Sequence, residues 1–183
     1  MEPHIDALDR HLCDNEVIEL GEDHRLRCLW TPGHAPGHLA FEHEPTRTIF
    51  VGDLIASKGT ILIRPPDGHM GDYMSSLLRI RGRDRVRGLH PAHGWTVADA
   101  TGKLQEYITH REEREAQVLD ALQEATHDGG WVRPMELVPS VYTDVPKEVW
   151  ALAAMSLSAH LIHLEESGAA ERQGETMAFR VPQ

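Results

Sequence analysis

The chain has 183 residues, of which 40% are hydrophobic and 26% are charged, and its formal net charge is −11. This length fits one ordinary domain or a small domain with an appendage, and the composition is that of a folded globular protein. The acidic balance argues against attraction of the whole protein to nucleic acid or to an anionic membrane surface.

No apolar run approaches the roughly 18 residues that a membrane span needs, and the N-terminal residues lack the pattern of a signal peptide. We therefore expect a cytoplasmic protein. The two cysteines, Cys13 and Cys28, cannot build a disulfide framework and have no C-x-x-C spacing, so both are expected to be small buried apolar residues.

The first half of the chain predicts a sheet. Short apolar runs separated by turn residues predict strands at residues 17–20, 26–30, 39–41 and 48–51. The loop at residues 31–38 contains two prolines and two glycines, which exclude a helix. A helix with Asp72 as its N-cap is predicted at residues 72–80, and a short strand at residues 86–89.

The second half is predicted to be mainly helical. Apolar residues at a spacing of three and four predict a helix at residues 103–126, and Arg111 and Glu115 interrupt that stripe. The interruption predicts a helix that bridges two bodies with its middle turns in water. Two further helices, at 134–141 and from Pro146 to Gly168, precede an edge strand through residues 177–181.

Three predicted loops each follow a strand and each present a side chain that can bind a metal ion. They carry His34 in the loop at 31–38, Asp53 in Phe-Val-Gly-Asp and His93 in His-Pro-Ala-His-Gly. Imidazoles and a carboxylate suit zinc or a similar divalent ion, and a carboxylate can bridge two ions. A glycine beside each residue lets the backbone approach closely, so we expect the three side chains to converge at one rim.

These ordered motifs resemble the metallo-beta-lactamase superfamily, above all the group that includes the animal mitochondrial beta-lactamase-like endoribonuclease and bacterial hydrolases with a C-terminal winged helix. The resemblance runs from about Val17 to the end, and residues 103–115 are similar to the family's inter-domain helix. It implies that His34, Asp53 and His93 are metal ligands. Zinc is the implied metal, although iron and manganese accept the same ligands.

The resemblance implies a hydrolase that cleaves an ester, thioester or phosphodiester with a metal-bound hydroxide. The family's H-x-H-x-D-H motif, which supplies most other ligands, is absent, and residues 4–11 have the right residue types in the wrong spacing. A solvated helix is the preferred interpretation of that segment. The chain then supplies one ligand to the first metal site and two to the second, whereas a catalytic zinc takes three.

Two more residues enter through the resemblance. His38 lies beside the family's site, which favours a hydrogen bond that orients a neighbour over direct ligation, with an ordinary buried histidine as the alternative. Tyr73 is implied as a substrate contact but fits the apolar face of its helix equally well. The other histidines have no metal spacing and are expected at surface or interface positions: His43, His69, His90, His110, His160 and His163.

Arginine occupies every second position from residue 79 to residue 87. Such a run could hold phosphate near the metal loops, but a solvated helix end that leads into an edge strand is the preferred interpretation. From residue 131 onwards, two helices and a hairpin predict a winged-helix domain. Acidic residues outnumber basic ones there, which disfavours a transcriptional regulator and favours a packing or substrate-lid role.

The fold class expected is therefore α/β. Residues 1–102 form the C-terminal half of a metallo-beta-lactamase αββα sandwich, residues 103–130 a linking helix and residues 131–183 a winged-helix-like domain. We expect a hydrolase of ester-like small molecules that is incomplete as given; the alternative is a catalytically inert truncated protein that binds or dimerises. The sheet face left by a missing N-terminal half should be sticky, which predicts a homo-oligomer.

Overall fold

The computed structural model describes residues 10–183, so most of the segment at residues 4–11 lies outside the described residues. One sheet contains the first five strands in sequential order. They are β1 (Val17–Gly21), β2 (His24–Trp30), β3 (Leu39–His43), β4 (Thr48–Gly52) and β5 (Gly88–Pro91). Neighbours from β1 to β4 pair antiparallel, whereas β5 joins the edge of the sheet parallel to β4.

Four α-helices accompany this sheet, namely α1 (Met70–Arg81), α2 (Ala100–Ala125), α3 (Pro134–Val141) and α4 (Trp150–Glu166). A short antiparallel pair, β6 (Glu171–Arg172) and β7 (Phe179–Arg180), follows α4. The predicted α/β fold is thus confirmed, with two helices and a hairpin at the C-terminal end. Within the described residues, the helices are too short or too polar to cross a lipid bilayer.

The sheet packs one face against α1 and the first half of α2. Alternate strand residues such as Ile49 and Val51 lie in this core together with Leu77 of α1 and Leu104 of α2. Because side chains alternate along a strand, Phe50 lies on the opposite face, where its side chain is 47% exposed. The sheet therefore has one covered face and one face with exposed apolar surface.

Helix α2 belongs to two hydrophobic cores. Its N-terminal half packs on the sheet, whereas Val118 and Leu122 lie in a second core with α3, α4 and Phe179 of β7. Backbone hydrogen bonds between Val132 and Phe179 close that second core at the hairpin. The cores also touch, since Ala159 of α4 is buried in the first one.

The prediction that the middle turns of α2 lie in water is wrong for the face that carries Arg111. Its side chain is only 3% exposed, and its Nη2 donates to Thr60 Oγ1 at 2.8 Å and to the Ile61 carbonyl. The guanidinium also lies over the Tyr73 ring at 5.3 Å. A long cationic side chain with a carbonyl, a hydroxyl and an aromatic ring as partners can be buried, which the stripe pattern alone does not reveal.

Several local predictions also need correction. Helix α1 begins two residues before the predicted start, and its N-cap is His69, whose Nδ1 accepts from the Asp72 N–H at 3.1 Å, so Asp72 lies in the first turn. Strand β5 spans Gly88–Pro91 rather than the predicted residues 86–89, and its pairing with β4 continues as far as Pro91, opposite Gly52. Cys28 is buried as predicted, but Cys13 is exposed.

Candidate metal centre

Strand directions explain how three distant loops reach one place. Strands β2 and β4 each pair antiparallel with β3, and β5 is parallel to β4, so these three strands run in the same direction. Their C-terminal ends therefore meet at one edge of the sheet. The loops that follow carry His34, Asp53 and His93, and the predicted convergence at one rim is observed.

Asp53 lies between the two imidazoles. Its Oδ2 is 3.8 Å from His34 Nε2, and its Oδ1 is 3.2 Å from His93 Nε2. The side chains of His34 and Asp53 are about one-third exposed, whereas that of His93 is 72% exposed. The carboxylate thus presents one oxygen to each histidine at a rim that solvent and small molecules can reach.

The hydrogen bonds around the site leave metal-binding lone pairs free. His34 Nδ1 is 3.2 Å from the Leu62 carbonyl, which can only accept, so Nδ1 carries the proton and Nε2 keeps its lone pair toward Asp53. The Oδ1 atom of Asp53 is buried without a hydrogen-bond partner among the described residues. A buried carboxylate oxygen without a partner is costly, and a cation would satisfy it.

His38 holds the Asp53 loop from behind. Its Nε2 accepts from the backbone N–H of Asp53 at 3.1 Å, and its Nδ1 donates to the Thr31 carbonyl at 3.0 Å. Burial lowers the pKa of His38, which favours the neutral ring that this acceptor role needs. Gly52 makes room for the ring, because a Cβ there would lie 2.7 Å from His38 Nε2.

The donors match a divalent ion in chemistry but not in number. Two imidazole nitrogens and a carboxylate are ligands that zinc or iron accepts. Residues 10–183 nevertheless contain no group of three or more His, Cys, Asp or Glu side chains placed to hold one ion together. Asp53 joins two partial sites, one with each histidine.

Two side chains are buried where the sequence predicted a substrate contact and a surface or interface position. Tyr73 is fully buried, and its hydroxyl donates to the Leu54 carbonyl at 2.7 Å, so the substrate-contact expectation is corrected in favour of the apolar helix face. His160, expected at a surface or interface, is fully buried, and its Nδ1 lies 3.4 Å from Glu115 Oε2. Both side chains face α2, since Tyr73 lies under the guanidinium of Arg111 and His160 lies beside Glu115.

The arginine run does not form a phosphate grip in the structure. Arg79 binds Asp14 and the Trp30 carbonyl, and Arg83 pairs with the buried Glu42. Arg85 is more than 80% exposed beside Asp84. The guanidinium groups of these three arginines point to three different carboxylates rather than to one shared ligand.

The loop at residues 60–67 lies at the site although no sequence pattern indicated it. Leu62 supplies the carbonyl that orients His34, and Arg64 and Asp67 line a cavity of about 240 Å³ together with His34, Ala35 and Leu62. This loop has no helical or strand periodicity, and its contacts depend on residues far away in the sequence. Only Arg111 could have indicated it, as a charge within an apolar stripe that needs a partner.

Comparison with known proteins identifies the family of this chain. Residues 11–109 match the metallo-beta-lactamase superfamily, and residues 134–178 match the beta-lactamase associated winged helix domain. The chain therefore belongs to the metallo-beta-lactamase superfamily and carries this winged-helix domain at its C-terminal end, as the sequence motifs predicted.

Curated relatives are similar over most of this chain. The lactamase-like protein aptB of Emericella nidulans is 32% identical over 88% of this chain and 52% of its own length. The beta-lactamase-like protein 2 homolog of Drosophila melanogaster is 31% identical over 80% of this chain and 48% of its own length. The atrochrysone carboxyl ACP thioesterase of Aspergillus chevalieri is 33% identical over 79% of this chain and 46% of its own length. The chain thus spans about half the length of the curated relatives it matches.

Solved structures give the same result for the fold. A metallo-beta-lactamase family protein from Thermus thermophilus matches with a TM-score of 0.77 and 27% identity, over 93% of this chain and 54% of that one. A beta-lactamase domain protein from Burkholderia ambifaria has a TM-score of 0.79 at 18% identity, over 94% of this chain and 52% of that one. At this level of identity the match is evidence for the fold alone.

Proposed function

We propose that this chain supplies the His34, Asp53 and His93 part of the metal centre of a hydrolase that cleaves acyl thioesters or related esters. Zinc is the proposed metal, with iron or manganese as alternatives for the same ligands. Further ligands would come from outside residues 10–183, because the described residues hold no complete group. When bound, a divalent ion supplies a Lewis acid that polarises the scissile carbonyl and activates water.

The observation that carries the proposal is the position of Asp53 between two imidazoles, with Oδ1 lacking a hydrogen-bond partner. The residues behind it maintain this arrangement: the Leu62 carbonyl fixes the orientation of His34, and His38 fixes the backbone of Asp53. Such preorganisation is typical of a ligand set whose geometry matters. The similarity to a carboxyl ACP thioesterase supports the thioester as the substrate class.

The experiment is a calorimetric zinc titration of the chain and of Asp53→Asn, combined with an assay of acyl thioester hydrolysis with and without zinc. We expect zinc binding that Asp53→Asn weakens by at least about tenfold, because the amide carries no charge and cannot bridge two ions. Asp67→Asn is the matched control, since Asp67 lines the cavity of about 240 Å³ beside His34 but, unlike Asp53, forms no ion pair with His34 or His93.

Equal zinc affinity of the chain, Asp53→Asn and Asp67→Asn would overturn the proposed centre. Absence of zinc binding together with absence of zinc-dependent hydrolysis would favour the alternative, an inert binding domain. Hydrolysis that depends on zinc and on Asp53 would establish that these residues act in the reaction.

A further inference from the structure

Leu62 forms part of two neighbouring cavities. The first, the rim cavity, has a volume of about 240 Å³ and is lined by His34, Ala35, Leu62, Arg64 and Asp67. The second, the apolar cavity, has a volume of about 200 Å³ and lies between the loop at residues 60–62 and the winged-helix domain. The Leu62 carbonyl is 3.2 Å from His34 Nδ1. A residue that lines the apolar cavity is therefore in direct contact with a proposed metal ligand.

The lining of the apolar cavity has the chemistry of a hydrocarbon site. It contains Thr60, Ile61, Leu62, Tyr142, Val145, Val149, Leu152, Ala153 and Ser156. None of these residues carries a charge, although a quarter of the whole chain is charged. Leu152 is 50% exposed and Val149 is 39% exposed, so large apolar side chains meet solvent where they surround this cavity.

The wall formed by residues 60–62 is anchored to the sheet domain by hydrogen bonds. Arg111 of α2 bonds both Thr60 and the Ile61 carbonyl, which fixes the loop on the side of the sheet domain. The opposite wall is the N-terminal part of α4, whose Ala153 is buried in the second core. The cavity is therefore formed by well-packed elements of both domains, as preformed ligand sites are.

We propose that the apolar cavity binds the hydrocarbon acyl arm of the substrate, with the scissile carbonyl at the rim cavity beside His34. This inference rests on the proposed function and narrows its substrate class to thioesters or esters with medium-length acyl chains. A phosphodiester fits poorly, because neither a cation nor a ring of donors lines the apolar cavity. The winged-helix domain then contributes one wall of the acyl site, through uncharged side chains such as Val149 and Leu152.

The test measures binding rather than turnover, by calorimetry with two non-hydrolysable pantetheine ketones, one with an octanoyl and one with an acetyl group. We expect the octanoyl ketone to bind at least about tenfold more tightly, because several additional methylene groups leave water. Leu152→Asp should remove that difference and leave the acetyl ketone unaffected. Val149→Ser should reduce the difference by a smaller factor.

Met155→Asp is the matched control. Met155 is 37% exposed on the same helix but does not line the apolar cavity, so the same charge placed there should leave both affinities unchanged. Circular dichroism of each variant verifies the fold. Equal affinity for the two ketones, or an equal effect of Leu152→Asp and Met155→Asp, would overturn the inference.

The outcomes separate this inference from the proposed function. If Asp53 controls zinc binding and hydrolysis but acyl length has no effect, the apolar cavity is not the acyl site while the metal centre stands. If octanoyl binding depends on Leu152 while zinc does not bind, the cavity is a ligand site and the proposed hydrolase fails.

Discussion

His69 Nε2 lies 2.7 Å from Glu166 Oε1 and joins the N-terminus of α1 to the last turn of α4. In its neutral form the same imidazole caps α1 through Nδ1, which accepts from the Asp72 N–H. In its protonated form Nδ1 is a donor, and Asp72 Oδ2 lies 3.2 Å from it. His163 lies 3.6 Å from the other oxygen of Glu166 and 3.9 Å from Glu115 of α2. A network of histidines and carboxylates thus links the helix at the metal loops to the winged-helix domain.

This pair makes the attachment of the two domains dependent on pH. The hydrogen bond to Glu166 raises the pKa of His69 above 6.5, and although burial opposes it, bonding to His69 and His163 holds the pKa of Glu166 below 4.5. Stability from His69 is complete below 6.5 and is lost as pH rises through its raised pKa. Stability from Glu166 is complete above 4.5 and is lost as pH falls through its lowered pKa.

We therefore expect a double-mutant cycle of His69→Asn and Glu166→Gln to give a coupling energy of about 0.5 kcal/mol below pH 6.5 and a smaller one above the raised pKa of His69. The value is small because both side chains are partly exposed. Asparagine keeps an acceptor for the α1 N-cap. Chemical unfolding in both pH ranges measures the coupling, and an equal or larger value at the higher pH would contradict the assignment.

Gly33 should tolerate no side chain. Its φ is +124°, and a Cβ there would lie 2.3 Å from Tyr73 Cα, where α1 packs against the loop that carries His34. We expect Gly33→Ala to lower the free energy of unfolding by about 3 kcal/mol or more through overlap and backbone strain. Gly21→Ala, at φ +87° with nothing within 4 Å, is the control and should lose about 1 kcal/mol. Equal losses in urea unfolding would show that the packing of Gly33 is unimportant.

The buried Arg111 should contribute more to the free energy of unfolding than an exposed arginine does. Arg111→Met leaves the Ile61 carbonyl and Thr60 hydroxyl without their donor, for which we expect a loss of about 2 kcal/mol in the free energy of unfolding. Arg85→Met removes a side chain that is 82% exposed and should change stability by less than about 0.5 kcal/mol. Denaturant titration compares the two, and a neutral Arg111→Met would mean that the loop is held by other contacts.

The exposed sheet face should promote self-association, which is the homo-oligomer predicted from the sequence. Phe50 lies 47% exposed on the face opposite α1 and α2 and stacks on His90 at 5.0 Å between ring centroids. Phe50→Lys is expected to shift the chain toward monomer, because a charge opposes apolar contact between copies. Leu78→Lys, on α1 at 45% exposure, is the control. Sedimentation velocity that finds a monomer for the unsubstituted chain at all concentrations would disprove the prediction.

Local sequence patterns were enough to predict the order of the elements, the winged-helix domain and the three metal-competent loops. Alternation of apolar residues, Gly-Pro punctuation and helical stripes are local patterns, and each predicts a structure that a few neighbouring residues can form alone. The family motifs around His34, Asp53 and His93 were likewise contiguous. Their convergence at one rim depends in addition on the common direction of β2, β4 and β5, which the pairing within the sheet sets.

The burial of particular polar side chains, and the groups that they contact, could not be predicted from such local patterns. Arg111 enters the core because Thr60 and the Ile61 carbonyl lie opposite it, some fifty residues away in sequence. His69 caps α1 although it is not among the residues that usually do so, and Tyr73 faces the Leu54 carbonyl rather than a ligand. Such roles depend on the free energy of pairing with distant groups, and no periodicity within a segment encodes those partners.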